Sequence, residues 1–378
     1  MRRTRFLLAI LPSALLSALA ASAWACPFCS AVKPTLAGQR DAAIAAFVGE
    51  AVDSPRDEKP ALQSFKVIRA LKGTPRPSNG TLRLTADIPV KKGSLVLLFG
   101  NNGADAALQD LQWTAVPLDE AAFAYVMQSP DLRQPSAKRL AFFSRFLEHP
   151  NRLLADDAYQ EFAHATYDQT AEAAARLSMS DLRRWLADPH VPPERKGFYA
   201  LDLGFAKSDS DRGLNRKLLR EQIAAPANDF RAGFDGMLAG YLLLDGRAAL
   251  ELIESRYLAN PKSADGDVRS ALKALRFYHD SGREIPADRV AEAVAQVLDR
   301  PEFAAEALPD LARWKYWKPV SRMAEYYDRK EYSDPFTRRA IVGYLKACPE
   351  PAAATALERL RRGDPKGVEE AEKYLSAR

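Results

Sequence analysis

A chain of 378 residues that is 47% hydrophobic and 27% charged has the balance of an ordinary globular protein, with room for two domains or for one domain and a repeat array. Its net charge of +5 includes Arg2, Arg3 and Arg5; without them residues 26–378 carry +2, which excludes the basic face of a nucleic-acid binder. Four histidines leave little general-base inventory. No G-x-S-x-G, H-E-x-x-H, Walker or G-x-G-x-x-G motif occurs.

The first 25 residues read as an export signal. The three arginines precede an apolar run from Phe6 to Leu19, and Ala23-Trp24-Ala25 is an A-x-A cleavage site that would leave Cys26 at the mature N-terminus, in the periplasm or outside the cell. A lipid anchor at Cys26 is the alternative, but bulky Trp24 beside the cut fits it poorly. No later stretch has the roughly 18 to 20 apolar residues of a membrane helix, so no transmembrane helix is expected.

Residues 26–118 are expected to form a small β domain. Ala42–Val52, Leu62–Leu71, Thr81–Thr85, Ser94–Gly100 and Leu111–Leu118 are short apolar runs separated by turn-rich pieces such as Asn101-Asn102-Gly103. Five such strands suit a closed barrel of the OB type, and a five-stranded sandwich fragment is the alternative. From 119 to 378 the period changes to helical. Val268, Leu272 and Leu275, and Val290, Val294, Val297 and Leu298, form apolar stripes, while Asp334-Pro335, Pro286 and Pro301 mark helix starts. So many short helices favour a HEAT-like solenoid without a strict repeat over one compact bundle, because stacked pairs need only neighbour contacts. The expected fold is therefore α+β with segregated domains. Gly233, Gly236 and Gly240 would give one helix a bare face that another helix can approach closely.

Cys26 and Cys29 form a C-x-x-C in Cys26-Pro27-Phe28-Cys29. No strand can precede it as in a redox motif, further zinc ligands are distant, and Ser30 replaces the histidine of a haem site. A local disulfide is the favoured reading; thiol or metal chemistry and an anchoring role stay open. Cys348, after Ile341, Tyr344 and Leu345, reads as a buried core residue. Asp157, Glu161 and His164 share a helical face, read as a solvated polar face, with a metal site as the functional alternative and a carboxylate-based hydrolase using Asp157 and Glu161 as a further one. Trp314, Tyr316, Trp317, Tyr326 and Tyr327, interleaved with Arg and Lys, are read chiefly as core packing and are also the best candidate for a contact surface.

The N-terminal part resembles the netrin-like, tissue-inhibitor-of-metalloproteinases group of OB folds. The resemblance rests on Cys26 and Cys29, on Ile44 to Glu50, on Phe65 to Gly73 with its terminal Lys-Gly pair, and on Lys92 to Gly100. It implies a barrel and, for inhibitors of that group, zinc chelation by the first cysteine. This chain departs from the pattern in having no cysteine between residues 30 and 347, so the family's disulfides do not carry over. The whole chain resembles secreted bacterial proteins with a CPFC start and a HEAT-like tail. The expected function is that of an exported non-catalytic binding or scaffolding protein with a protein partner and no cofactor or metal. The alternative is a thiol/disulfide or metal-dependent protein centred on Cys26 and Cys29.

Overall fold

A computed structural model of the protein describes residues 28–29, 32–53, 62–73, 80–85, 90–102, 108, 111–225 and 231–376. The leader and Cys26 lie outside the described residues. Helix α1, Leu36–Ala42, comes first, with the Thr35 side chain accepting from Gly38 N–H. It occupies residues that sequence pattern left before or at the start of the first strand.

Strands β1 (Ala45–Ala51), β2 (Leu62–Lys72), β3 (Thr81–Thr85), β4 (Leu95–Asn101) and β5 (Gln112–Leu118) form an antiparallel sheet in the order β3-β2-β1-β4-β5. The sheet curls until β3 approaches β5, giving an OB-like half-barrel. Side chains alternate along a strand, so β1 sends Ala45, Phe47 and Ala51 into the barrel and Ala46 and Val48 to the opposite face. β4 does the same with Val96 and Leu98 inside and Leu97 and Phe99 outside. The outer set joins Leu118, Ala122 and Tyr125 in the large helical core, which is why both strands are apolar on both faces. At the end of β2, Gly73 has φ 90°, and a side chain there would press on Ile44 O and Ala45.

The rest of the chain is helical: α2 (Glu120–Gln128), α3 (Ser136–Phe143), α4 (Arg152–Ala163), α5 (Tyr167–Ala174), α6 (Met179–Ala187), α7 (Pro193–Leu203), α8 (Asp209–Ala224) and α9 (Phe234–Ile253) are followed by α10 (Asp265–Ser281), α11 (Ala287–Ala295), α12 (Pro301–Arg313), α13 (Met323–Asp328), α14 (Pro335–Ala347), α15 (Pro351–Gly363) and α16 (Pro365–Ser376). From α5 onward the helices form two rows. In one, α5, α7, α9, α10, α12, α14 and α16 pack in succession; α6, α8, α11, α13 and α15 flank it. This is a HEAT-like solenoid. A repeat that sequence similarity hides is visible in the polar ties between successive units. Tyr257 donates to Ile223 O (3.3 Å) and Tyr332 to Leu298 O (2.6 Å), both across 34 residues. Arg276 on α10 also pairs with Asp310 on α12 across 34 residues.

The glycine-rich stretch packs as its spacing predicts, with one correction. Gly233 does not lie inside a helix; at φ 74° it caps the start of α9. Gly236 and Gly240 sit directly on α7, where an added Cβ would overlap the main chain at Gly197 and Ala200. The bare face is thus covered by a helix. Gly246, at φ 47°, kinks α9. At the next helix starts, Pro301 and Pro335 occupy first helical positions, whereas Pro286 is the residue before α11.

Candidate functional site

Between β domain and solenoid, an extended strap of residues 32–35 crosses helix α4. The N-cap of that helix is Asn151, whose side chain accepts from Leu154 N–H, and its inner face buries Leu154, Ala158 and Phe162. The remaining polar row holds the strap by its main chain. Gln160 Oε1 accepts from Lys33 N–H (2.7 Å), His164 Nε2 donates to Lys33 O (2.9 Å), and Asp157 Oδ1 accepts from Leu36 N–H (2.6 Å).

Burial corrects the expectation of a solvated polar face at the two carboxylates, Asp157 being 7% exposed and Glu161 1%, whereas His164 is exposed. Asp157 Oδ2 also accepts from Tyr125 Oη (2.6 Å). Burial pushes the Asp157 carboxyl up to about 6, against the opposing pull of the Tyr125 and Leu36 hydrogen bonds. The same burial, with Asp157 beside it, pushes the Tyr125 hydroxyl far above its ordinary value. Glu161 Oε2 pairs with Arg139 Nη2 of α3. Glu161 Oε1 and Arg139 Nε, in contrast, are buried and have no hydrogen-bond partner among the described residues.

Two clefts flank the strap. One, of about 400 Å³, has apolar walls from Pro34, Leu132, Leu140 and Ala165, with Ser136, Arg139, Glu161 and His164 among its polar residues. The other, of about 200 Å³, is lined in part by Asp156 and Arg195. Arg195 is itself buried, donating to Glu148 Oε1 (2.8 Å) and pairing with Asp156. Tyr125, Arg139 and Arg195 were not singled out by sequence, because each meets α4 from a different helix and no local motif links them.

The C-x-x-C region is anchored on the solenoid. Phe28 is buried, edge-on to Phe277 of α10 with ring centroids 5.0 Å apart, and Lys273 Nζ lies 5.6 Å from its ring. Its carbonyl lies close to Gly197 of α7. Cys29 is half-buried against the same core. Cys348 is a buried free thiol, at the end of α14.

Of the candidate contact surface, Tyr316, Tyr326 and Tyr327 are buried, as core packing requires. Their spacing turns them inward, where they tie units together. Tyr326 donates to Asp299 Oδ1 (2.5 Å) and Tyr327 to Asp364 Oδ2 (2.9 Å), while Tyr316 O accepts from Tyr344 (2.6 Å). Burial, then the bond to Asp364, pushes the Tyr327 hydroxyl up to about 12. Trp314 and Trp317 are only partly buried. Trp314 stacks on His279 at 4.0 Å, and Trp317 meets Tyr344 edge-on at 5.2 Å.

No group of three or more His, Cys, Asp or Glu that could hold a metal occurs among the described residues. None of their helices is long and apolar enough to cross a membrane. No family model and no curated protein sequence matches the chain. Among solved structures, the chain is similar to human deoxyhypusine hydroxylase in complex with glycerol, at 16% identity and a TM-score of 0.27, over 66% of this chain and 92% of that one. At that score the solenoid rests on its own geometry.

Proposed function

We propose that the protein is exported and acts without catalysis, as a binding or scaffolding protein that holds a protein partner. What supports this best is how α4 uses its polar row. Asp157, Gln160 and His164 are engaged within the chain, with main-chain groups at Lys33 and Leu36 and with Tyr125, so they hold structure and are not left open to activate a water. The Cys26/Cys29 pair belongs to the same reading as a local disulfide bracketing Phe28, whose ring is seated between helices.

Chemical crosslinking in intact producing cells, followed by affinity purification and mass spectrometry, tests the proposal. The expected result is a recurrent protein crosslinked to the helical array. Recovery of a monomer with no specific crosslink would count against partner binding. Activity lost in the double Cys26→Ser, Cys29→Ser variant with folding intact would instead favour thiol chemistry.

A further inference from the structure

At the C-terminal end of the solenoid, α14 and α16 leave an apolar patch uncovered. Phe336 is 66% exposed, Tyr374 38% and Leu375 37%. The three are continuous across the two helices: the Arg339 guanidinium lies 5.5 Å from the Phe336 ring centre and 4.6 Å from that of Tyr374, and Leu375 lies beside Gly343 of α14. Earlier in the same row, successive helices close their surface with ion pairs instead, Lys273 with Asp235, Arg269 with Glu306 and Arg313 with Asp280. The end of a helical array stays soluble alone when its outer face is polar, so an aromatic end face with an arginine at its centre has the make-up of a contact.

The charges on these two helices point to what covers it. Of the α14 arginines, Arg338 pairs with Asp364, whereas Arg339 has no carboxylate partner among the described residues. Of the α16 glutamates, Glu369 pairs with Lys373 and Glu372 with Arg361, whereas Glu370 has no ion-pair partner among the described residues. Glu370 lies one turn before Tyr374, on the side of α16 that carries the patch. The patch therefore holds one unpaired charge of each sign beside its rings, and what one copy lacks another copy supplies. We infer that this end face pairs with the same face of a second copy of the chain about a twofold axis, Arg339 of each meeting Glu370 of the other around Phe336, Tyr374 and Leu375. The twofold repeats every contact, so each dimer contains the ion pair twice.

Self-association goes beyond the partner-binding proposal and does not rest on it. Sedimentation velocity of the whole protein, from low to high micromolar concentration, tests it, and the expected result is a monomer–dimer equilibrium. Phe336→Ser, at an exposed position, should weaken the dimer about tenfold or more. Arg339→Glu sets like charges against each other twice in every dimer, and so does Glu370→Arg, so each variant alone should also dimerise about tenfold more weakly or worse. An equimolar mixture of these two variants should dimerise again, because each supplies the charge that the other has lost. Recovery on mixing cannot come from a folding defect in either variant. A monomer over the whole range, a dimer indifferent to all three changes, or a mixture that stays monomeric would overturn the inference. A monomeric unaltered protein whose crosslink to another protein in cells is lost in Phe336→Ser would give the face to that partner and likewise overturn self-pairing.

Discussion

The barrel and the solenoid are stabilised on different length scales. In the barrel, β1 pairs with both β2 and β4 at the centre of the sheet and, like β4, fills two cores at once. In the solenoid each helix answers only to its neighbours, and ties such as Tyr332 to Leu298 and Arg276 to Asp310 reach one unit back or forward. Damage at the centre of the barrel should therefore spread through all five strands, whereas damage between two helices should stay near them.

The largest effect is expected at Phe47. It is fully buried inside the barrel and stacked on Trp113, with centroids 5.7 Å apart. Phe47→Ala removes a large side chain from a site closed on every side, at a cost of about 3–5 kcal/mol. Chemical denaturation measures the loss, and hydrogen exchange should rise across β1 to β5 together. Exchange raised in β1 alone would break the contrast between the two regions.

Gly236→Ala is the corresponding change in the solenoid. The new methyl would overlap Gly197 of α7, so the helices must separate at a cost of about 1–3 kcal/mol. Exchange should rise in α7, α9 and α10 and stay unchanged in α14 to α16. A uniform rise would mean that the array unfolds as one unit and would remove the distinction.

The same contrast governs how much could be read from sequence. Strand β3 was legible to the residue, and β2, β4 and β5 to within one, because short apolar runs between turn residues need no distant partner to be recognised. Helix α1 escaped notice because Leu36–Ala42 is short and carries no apolar stripe beyond Leu36 and Ala37. Helical stripes at Val268 and Val290 were legible for the same local reason. The site on α4 was not. The partners of Asp157 and Glu161 are Leu36, Tyr125 and Arg139, which lie 121, 32 and 22 residues away, and only tertiary packing brings them together. A helical wheel places the three polar residues on one face but cannot tell whether water or another element covers it. In the aromatic segment from Trp314 the favoured core packing holds for Tyr316, Tyr326 and Tyr327, although alternation with Lys and Arg also looks like a surface.

An effect of opposite sign, set by pH, is expected at Asp202 on α7. Asp202 is fully buried, and neither carboxylate oxygen has a hydrogen-bond partner among the described residues. Burial raises its pKa well above the ordinary value of 3.8. The folded state therefore keeps a proton that the unfolded chain releases above about pH 4. Folding then becomes less favourable as pH rises from there toward the folded-state value, since the unfolded state binds fewer protons. Asp202→Asn keeps the shape and removes this titration. Melting temperatures of the two proteins should nearly coincide at pH 4 and diverge in favour of the variant toward pH 8. Parallel pH profiles would show that Asp202 is ionised in the fold and held by a partner, and the helical core would then contain a polar link that its neighbour-to-neighbour ties do not explain.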